Sequence, residues 1–249
     1  PRCTATIVEF GSRHLGFVYD PHPDALEVLN FKTGKMQKNN DNRANAQYAS
    51  FNASIWKKGV DESWLDNGKD ADPDKIIIRY ADVLLMYAEA KIELNQIDES
   101  VLEAINKVRS RAYGVDKAAI NDYPAVTNLD QASLRKIIRT ERRMEFAKEG
   151  LRYMDLVRWR LATKALTNKS YGILYPAALL REKVTSKGLW FWPVTPQIDE
   201  DGIPDFSEME LAGQITVLSK RNWDDRQYLW PIPTKEVLIN DNLSQNPGY

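Results

Sequence analysis

The sequence predicts a mainly α fold in which helix pairs are joined and overlaid by long loops, with a few short strands. Three observations carry that expectation. Apolar residues recur at helical spacing from residue 79 to about 166. Charged residues between Arg139 and Trp159 fall into rows four apart, which a helix brings onto one face. Beyond them Gly172, Pro176, Gly188, Pro193, Pro196, Gly202, Pro204 and Gly213 punctuate the chain, so residues 167–228 read as loops and short strands laid over the helices.

The first quarter reads as irregular. Thr4 to Phe10 has the β-branched content of a strand, residues 51–60 look like a second short strand ending at Gly59, and Asn39, Asn40, Asp41, Asn42 and Asn45 make a turn-prone stretch. The first long helix begins at Arg79-Tyr80-Ala81-Asp82, places Val83, Leu84, Tyr87, Ala88 and Ile92 on one side, and ends near Asn95. Asp98 is positioned to cap a second, with Val101, Leu102, Ile105 and Val108 as its apolar stripe and Gly114 as its stop. With small Ala88, Ala90 and Ala104 at the contact, this pair has the form of a tetratricopeptide hairpin. The next pair follows at more than the usual repeat of about 34 residues, so the array is irregular. Asp130 caps the third helix, Gly150 ends it, and a fourth follows. The two prolines of Leu229-Trp230-Pro231-Ile232-Pro233 exclude regular helix there, and Leu229, Trp230 and Ile232 are expected to pack on the helix pairs. Thr234 is placed to cap a last turn, Lys235 to Ile239.

Composition narrows the function. A chain of 249 residues buries a substantial core. Lys plus Arg number 34 and Asp plus Glu 35, a formal net charge of −1 that offers no general attraction to nucleic acid or an anionic bilayer. Cys3 is the single cysteine, so no intrachain disulfide forms and a buried or incidental thiol is expected. Charges such as Arg79 and Asp82 break every apolar run before it reaches bilayer length. Beginning at Pro1-Arg2, the chain reads as the interior of a longer protein, a processed product or a fragment.

The run from Arg139 to Trp159 is the most informative. Glu141, Glu145 and Glu149 form one row and Arg135, Arg139 and Arg143 a second, while Leu134, Ile137, Ile138, Met144, Phe146 and Ala147 supply an apolar stripe. This reads as a helix pair locked by ion pairs, with Arg152, Asp155 and Arg158 continuing the pairing and Trp159 between the helices. A glycosidase needs two carboxyls in unlike environments across a cleft, whereas every acid here has an Arg within helical reach, which lowers its pKa. A di-iron bundle needs Glu-x-x-His, and the histidines are His14 and His22, far from the row. No metal or cofactor is implied. An anion site built from the arginines is the remaining functional use, and a structural network is the reading preferred.

This run, the Arg79-Tyr80-Ala81-Asp82-Val83-Leu84-Leu85 helix, the Ala104-Ile105-Asn106-Lys107-Val108-Arg109 helix and the ending Pro231-Ile232-Pro233 to Asn246-Pro247-Gly248-Tyr249 resemble the SusD/RagB family in content and order. The resemblance implies a SusD-like α/α superhelix, with residues 1–249 as its carboxyl-terminal region: 1–75 loops and short strands, 76–166 helix pairs, 167–249 a loop-rich segment packed on them. It implies a protein that is not an enzyme, captures a glycan at the extracellular face of the outer membrane, and presents it to a SusC-type TonB-dependent transporter. Attachment would be through an N-terminal lipid absent from this chain. Peptides or another nutrient in the same lid role are the alternative. A glycoside hydrolase relying on Asp61 or Asp66, or a cytosolic helical-repeat adaptor, are weaker rivals.

The family's ligand contacts sit on variable loops, so candidates come from chemistry: an exposed aromatic face for the apolar side of a sugar ring, with amide or carboxylate groups nearby for its hydroxyls. The loops offer Tyr19, Tyr48 with Asn45 and Gln47, Trp64 with Asp61 and Asp66, and Trp190 with Trp192. Tyr80, Tyr87, Trp159 and Trp230 are expected in the core.

Overall fold

A computed structural model describes residues 1–65, 74–128 and 130–249. In chain order the first elements are α1 (Arg2–Thr6), β1 (Arg13–His14), β2 (Phe17–Val18), β3 (Glu27–Asn30), β4 (Lys35–Lys38) and a 3-10 turn, Glu62–Leu65. The helical layer follows as α2 (Tyr80–Glu93), α3 (Glu99–Tyr113), α4 (Gln131–Glu145), α5 (Arg152–Arg158) and α6 (Ala162–Leu166). The last third holds β5 (Lys169–Ile173), α7 (Ala177–Lys183), β6 (Gln197–Ile198), β7 (Pro204–Asp205), α8 (Ser207–Leu211), β8 (Ile215–Lys220) and α9 (Thr234–Ile239). The fold is mainly α, with tetratricopeptide-like helix pairs and short strands. Residues 1–148 with 172–216 form one compact unit, and 149–171 with 217–249 a second.

In the first unit α2 lies between α3 and α4, antiparallel to both. The Lys91 ammonium at the end of α2 meets Asp98 at the start of α3, while Lys107 Nζ reaches the Tyr80 hydroxyl at 3.3 Å. Likewise Gln131 Nε2 donates to the Ile92 carbonyl at 2.6 Å, and Arg142 pairs with Asp82 at 2.8 Å. Caps set the helix ends as expected. Asp98 accepts from Ser100 N–H, Asp130 accepts from Ser133 N–H, and Gly114 takes the left-handed conformation at φ 70°. The Lys91 ammonium, bonded to the Asp98 carboxylate, holds that carboxyl down to about 2. Asn106 makes two bonds to Val126, from its Nδ2 to the carbonyl at 2.9 Å and from the Val126 N–H to its Oδ1 at 2.7 Å, which pins the loop between α3 and α4.

The α2 stripe is turned by about one residue from the expected one. Leu85, Ala88, Glu89 and Ile92 are buried, whereas Tyr80, Val83, Met86 and Tyr87 are exposed. The expectation that Tyr80 and Tyr87 are core is therefore corrected: the two partner helices decide which side of α2 is covered, and Arg142 of α4 lies 3.9 Å from Glu89 on that side.

Helix α4 departs further from the expectation. Its buried stripe starts with Leu134 and Ile138 but continues as Glu141, Arg142 and Glu145, while Met144 is exposed. The charges do not face one another along the helix. Glu141, fully buried, is bracketed by Arg2 at 2.5 Å and Arg109 at 2.7 Å, and Glu145 takes Arg2 at 3.0 Å, Arg79 at 2.6 Å and Arg111. The helix's own arginines pair outward: Arg135 with Glu93, Arg139 with Asp201, Arg142 with Asp82. Helix α4 also stops at Glu145, short of Gly150. The Glu145 carbonyl, which the Glu149 N–H would occupy in a longer helix, accepts Lys58 Nζ at 2.8 Å and Arg79 Nη2 at 3.0 Å instead.

The amino-terminal segment serves this cluster. Thr4 to Phe10 is not a strand: α1 occupies Arg2–Thr6 and aims Arg2 at Glu141, leaving one bridge between Ile7 and Trp56 as the extended pairing of this part and of residues 51–60. The strands lie elsewhere, as an antiparallel sheet in the order β1-β2-β3-β4. Leu15 at φ 48° and Gly16 at φ 84° make the two-residue turn between β1 and β2, a conformation that matches strand twist. Cys3 is exposed rather than buried.

In the second unit Leu156, Leu161, Ala162 and Trp223 form the core, with Trp159 half-buried against them. Arg158 pairs with Asp155 at 2.8 Å inside α5. The ending is held by polar bonds rather than apolar packing. Gln245 exchanges two 2.8 Å hydrogen bonds with the Ile232 backbone, and Asn246 Nδ2 donates to the Trp230 carbonyl at 2.6 Å. Leu229 and Trp230 are consequently exposed, which corrects the expectation of core residues there.

Burial raises the Glu145 carboxyl pKa, but the hydrogen bond from Arg79 and the charges of Arg111 and Arg2 outweigh it and hold the carboxyl below its ordinary value. A group depressed on folding adds stability above its unfolded pKa and loses it as pH falls through the folded one. Urea midpoints of the native chain are therefore expected to fall between about pH 5 and 2, with a flatter profile in Glu145→Gln. In the same assay at neutral pH, Glu141→Ala, which leaves Arg109 without a carboxylate and Arg2 with Glu145 alone, is expected to cost about 3–5 kcal/mol. Arg135→Ala, at an exposed pair, should cost under about 1 kcal/mol.

Candidate ligand-binding site

The first unit gathers aromatic side chains on its loops. Gly188, left-handed at φ 69°, reverses the chain after α7, and the Leu189 to Pro193 loop then bends at Phe191 and Trp192. The Trp190 and Phe191 rings lie side by side, with centroids 5.0 Å apart and planes at 34°. Phe191 is 1% exposed and packs with Ala53, Ile173, Leu174, Leu180 and Val184, whereas Trp190 is 57% exposed. Trp190 stacks on Phe10 with ring centroids 4.9 Å apart and planes at 30°, and Phe10 rests edge-on against Tyr19 at 5.7 Å. Trp192 donates its Nε1–H to the Asn52 carbonyl at 3.2 Å and lies 5.5 Å from Phe206. The outer indole is thus a fixed face over an anchored layer.

Beside Asn52 the 43–53 loop adds a second group. The Arg43 guanidinium sits between the rings of Phe51 at 4.0 Å and Tyr175 at 4.6 Å, both half exposed. Its Nη1 donates to the Gln47 and Ala49 carbonyls, which closes the loop and leaves Tyr48 at its tip, 88% exposed. The neighbouring asparagines are braces. Asn39 Nδ2 donates to the Asp20 and Ala25 carbonyls, Asn42 Nδ2 to His22 and Ala25, and Asn45 Nδ2 to Leu26 and Asn39. The Asn45 amide expected to serve Tyr48 is committed to the loop itself.

Of the sequence-derived candidates, Trp190 and Trp192 fall together and Tyr48 belongs to the adjoining loop. Tyr19 lies 1% exposed beneath the Phe10 and Trp190 stack; burial pushes its phenol pKa up, and its hydroxyl has no hydrogen-bond partner among the described residues. Trp64 is half-buried on the 3-10 turn that Arg13 ties down through Glu62 at 3.0 Å. Asp61 accepts the Ser63 N–H at 2.9 Å, which lowers its pKa, and Asp66 lies outside the described residues. Phe10, Arg43, Phe51 and Tyr175 were missed by sequence reasoning. Their one signal, aromatic residues flanking loops, does not reveal which of them meet.

Among the described residues no group of three His, Cys, Asp or Glu is placed to hold a metal ion, and no helix is long and apolar enough to cross a membrane. What the surface offers chemically is flat, rigid, exposed aromatic faces, flanked by peptide and guanidinium groups, suited to stacking on the apolar face of a sugar ring.

The family model that matches this chain is that of the SusD family, over residues 1–249. Among curated relatives, SusD-like protein P25 of Formosa agariphila is 35% identical over 131 residues, 53% of this chain and 23% of that protein. SusD-like protein P2 of the same organism is 29% identical over 185 residues, 74% and 28% respectively. Among solved structures, a SusD-like carbohydrate binding protein from Bacteroides fragilis aligns over 98% of this chain and 41% of its own, with 30% identity and a TM-score of 0.61. The chain belongs to the SusD family. The matched stretch is under half the length of each of these relatives.

Because the Tyr19 hydroxyl is buried without a partner, Tyr19→Phe is expected to leave thermal stability unchanged or raise it by about 1 kcal/mol while ligand binding is retained. Differential scanning calorimetry checks the first part and binding assays the second.

Proposed function

We propose that the protein captures a glycan on its aromatic loop surface, without cleaving it, and delivers it to a SusC-type TonB-dependent transporter. The observation that carries this is Trp190, more than half exposed yet held flat on Phe10 above a buried aromatic layer, in a chain of the SusD family. A ring so placed contributes stacking area without the entropy loss of ordering a mobile side chain. Trp192 and Tyr48 extend the surface. The relative from Bacteroides fragilis is itself described as carbohydrate binding. The protein would act at the extracellular face of the outer membrane, anchored by an N-terminal lipid.

Against a hydrolase relying on Asp61 stands the setting of that carboxyl. The bond from Ser63 N–H lowers the Asp61 pKa, whereas a glycosidase's general acid needs its pKa raised.

Affinity electrophoresis against a panel of polysaccharides, with a reducing-sugar assay alongside, tests the reading. Retardation by at least one polysaccharide without sugar release is expected, with binding weakened about tenfold or more in Trp190→Ala, equivalent to about 1.4 kcal/mol. Sugar release overturns the non-enzymatic reading. No retardation, with binding of oligopeptides in its place, transfers the lid role to peptide capture.

A further inference from the structure

The second unit carries a cavity of about 230 Å³ lined by Tyr153, Gln227, Trp230, Pro231 and Tyr249. We infer that this cavity is a second saccharide site, taking a single pyranose ring, and the inference rests on the glycan reading above. Three aromatic rings and a proline line it, and none of the rings is covered: Trp230 is 72% exposed, Tyr249 45% and Tyr153 36%. Large rings left in water around a concavity are the pattern of a stacking site rather than of a core.

The rings are held in place. The Trp230 backbone is pinned by Asn246, whose Nδ2 donates to the Trp230 carbonyl at 2.6 Å. Tyr249 is fixed by Arg226, whose guanidinium lies 5.1 Å over its ring and whose Nη1 donates to the Gly248 carbonyl at 2.9 Å. Tyr153 leans edge-on against buried Trp223 at 6.3 Å. The Tyr249 hydroxyl donates to the Arg226 carbonyl at 3.5 Å, while the anchors of Trp230 and Tyr153 work through backbone or a ring face and leave their polar tips available.

Those tips give the site its polarity. Gln227 spends its Oε1 on the Asp224 N–H at 2.8 Å, closing a capping box, and its Nε2 hydrogens have no partner among the described residues. The Tyr153 hydroxyl and the Trp230 Nε1–H are likewise unengaged there. Aromatic faces with outward donors around a space smaller than the roughly 300 Å³ at which drug-sized pockets begin fit one sugar ring, its apolar face on the indole and its hydroxyls to the amide and phenol. An apolar peptide side chain would satisfy the rings and leave the donors unused.

The test is ¹⁹F NMR of the full chain labelled with 5-fluorotryptophan, with the Trp190 and Trp230 signals assigned from Trp→Phe variants. The probes are methyl pyranosides of glucose, galactose, mannose and N-acetylglucosamine, and the matching disaccharides. A saturable shift of the Trp230 signal is expected with at least one probe, weakened threefold or more in Gln227→Glu, which keeps the Oε1 cap and removes the amide donors. Thermal melts confirm that this variant folds. No saturable shift at Trp230, a shift indifferent to Gln227→Glu, or a shift produced only by a prolyl-tryptophan dipeptide overturns the inference. A shift at Trp190 alone overturns it and leaves the glycan reading of the first unit standing. A shift at Trp230 alone supports it and counts against Trp190 as the capture surface.

Discussion

Two carboxylates organise the first unit. Glu141 and Glu145 lie in the buried stripe of α4, and each demands guanidinium groups from outside its helix, because an unpaired carboxylate in that position is prohibitively costly. Meeting the demand fixes the placement of elements remote in sequence. Arg109 and Arg111 bring α3, Arg79 brings the start of α2, and Arg2 brings the amino-terminal turn. An apolar stripe would hold the same helices together but would tolerate small slides and rotations among them. Paired charges do not, since a displaced guanidinium leaves a charge unmatched. The cluster thus trades some burial energy for a single arrangement, and the ladder of α4 itself ends where its last carbonyl is drawn into the same network.

The sequence revealed this unevenly. Caps at Asp98 and Asp130, the left-handed stop at Gly114 and the existence of the long helices were legible because each depends on residues within a few positions. Which face of α2 is buried depends on two other helices, so a purely local pattern pointed one residue away. The acidic and basic rows of α4 were visible, but the rule that pairs residues four apart assumes an exposed helix surface. Burial makes distant arginines the better partners. The strand expected at Thr4 to Phe10 failed for the same reason: β-branched composition is a weak preference, and the anchoring of Arg2 overrides it.

The candidate site was legible as residue types rather than as geometry. Trp190 and Trp192 stand in a loop that any reading would mark, yet their quality as a surface comes from Phe10, contributed by another loop and invisible from spacing. Exposure alone does not make a binding face; a ring must also be kept from collapsing onto its neighbours. Here Phe191 and Tyr19 occupy the space beneath, and Arg43 fills the gap between Phe51 and Tyr175. Rigid backing of this kind lets loops, otherwise the most adaptable parts of a fold, present a fixed shape.

Asn39 and Asn42 illustrate how narrow the permitted chemistry of that backing is. Each is almost wholly buried and gives both amide hydrogens to two carbonyl oxygens while its own oxygen receives a backbone N–H. Aspartate has the same size and shape but would set a carboxylate against those carbonyls. Spontaneous deamidation, which makes that exchange without any change in the gene, needs a mobile and hydrated asparagine, so the same burial and bonding that make the amide indispensable here also shield it from chemical ageing.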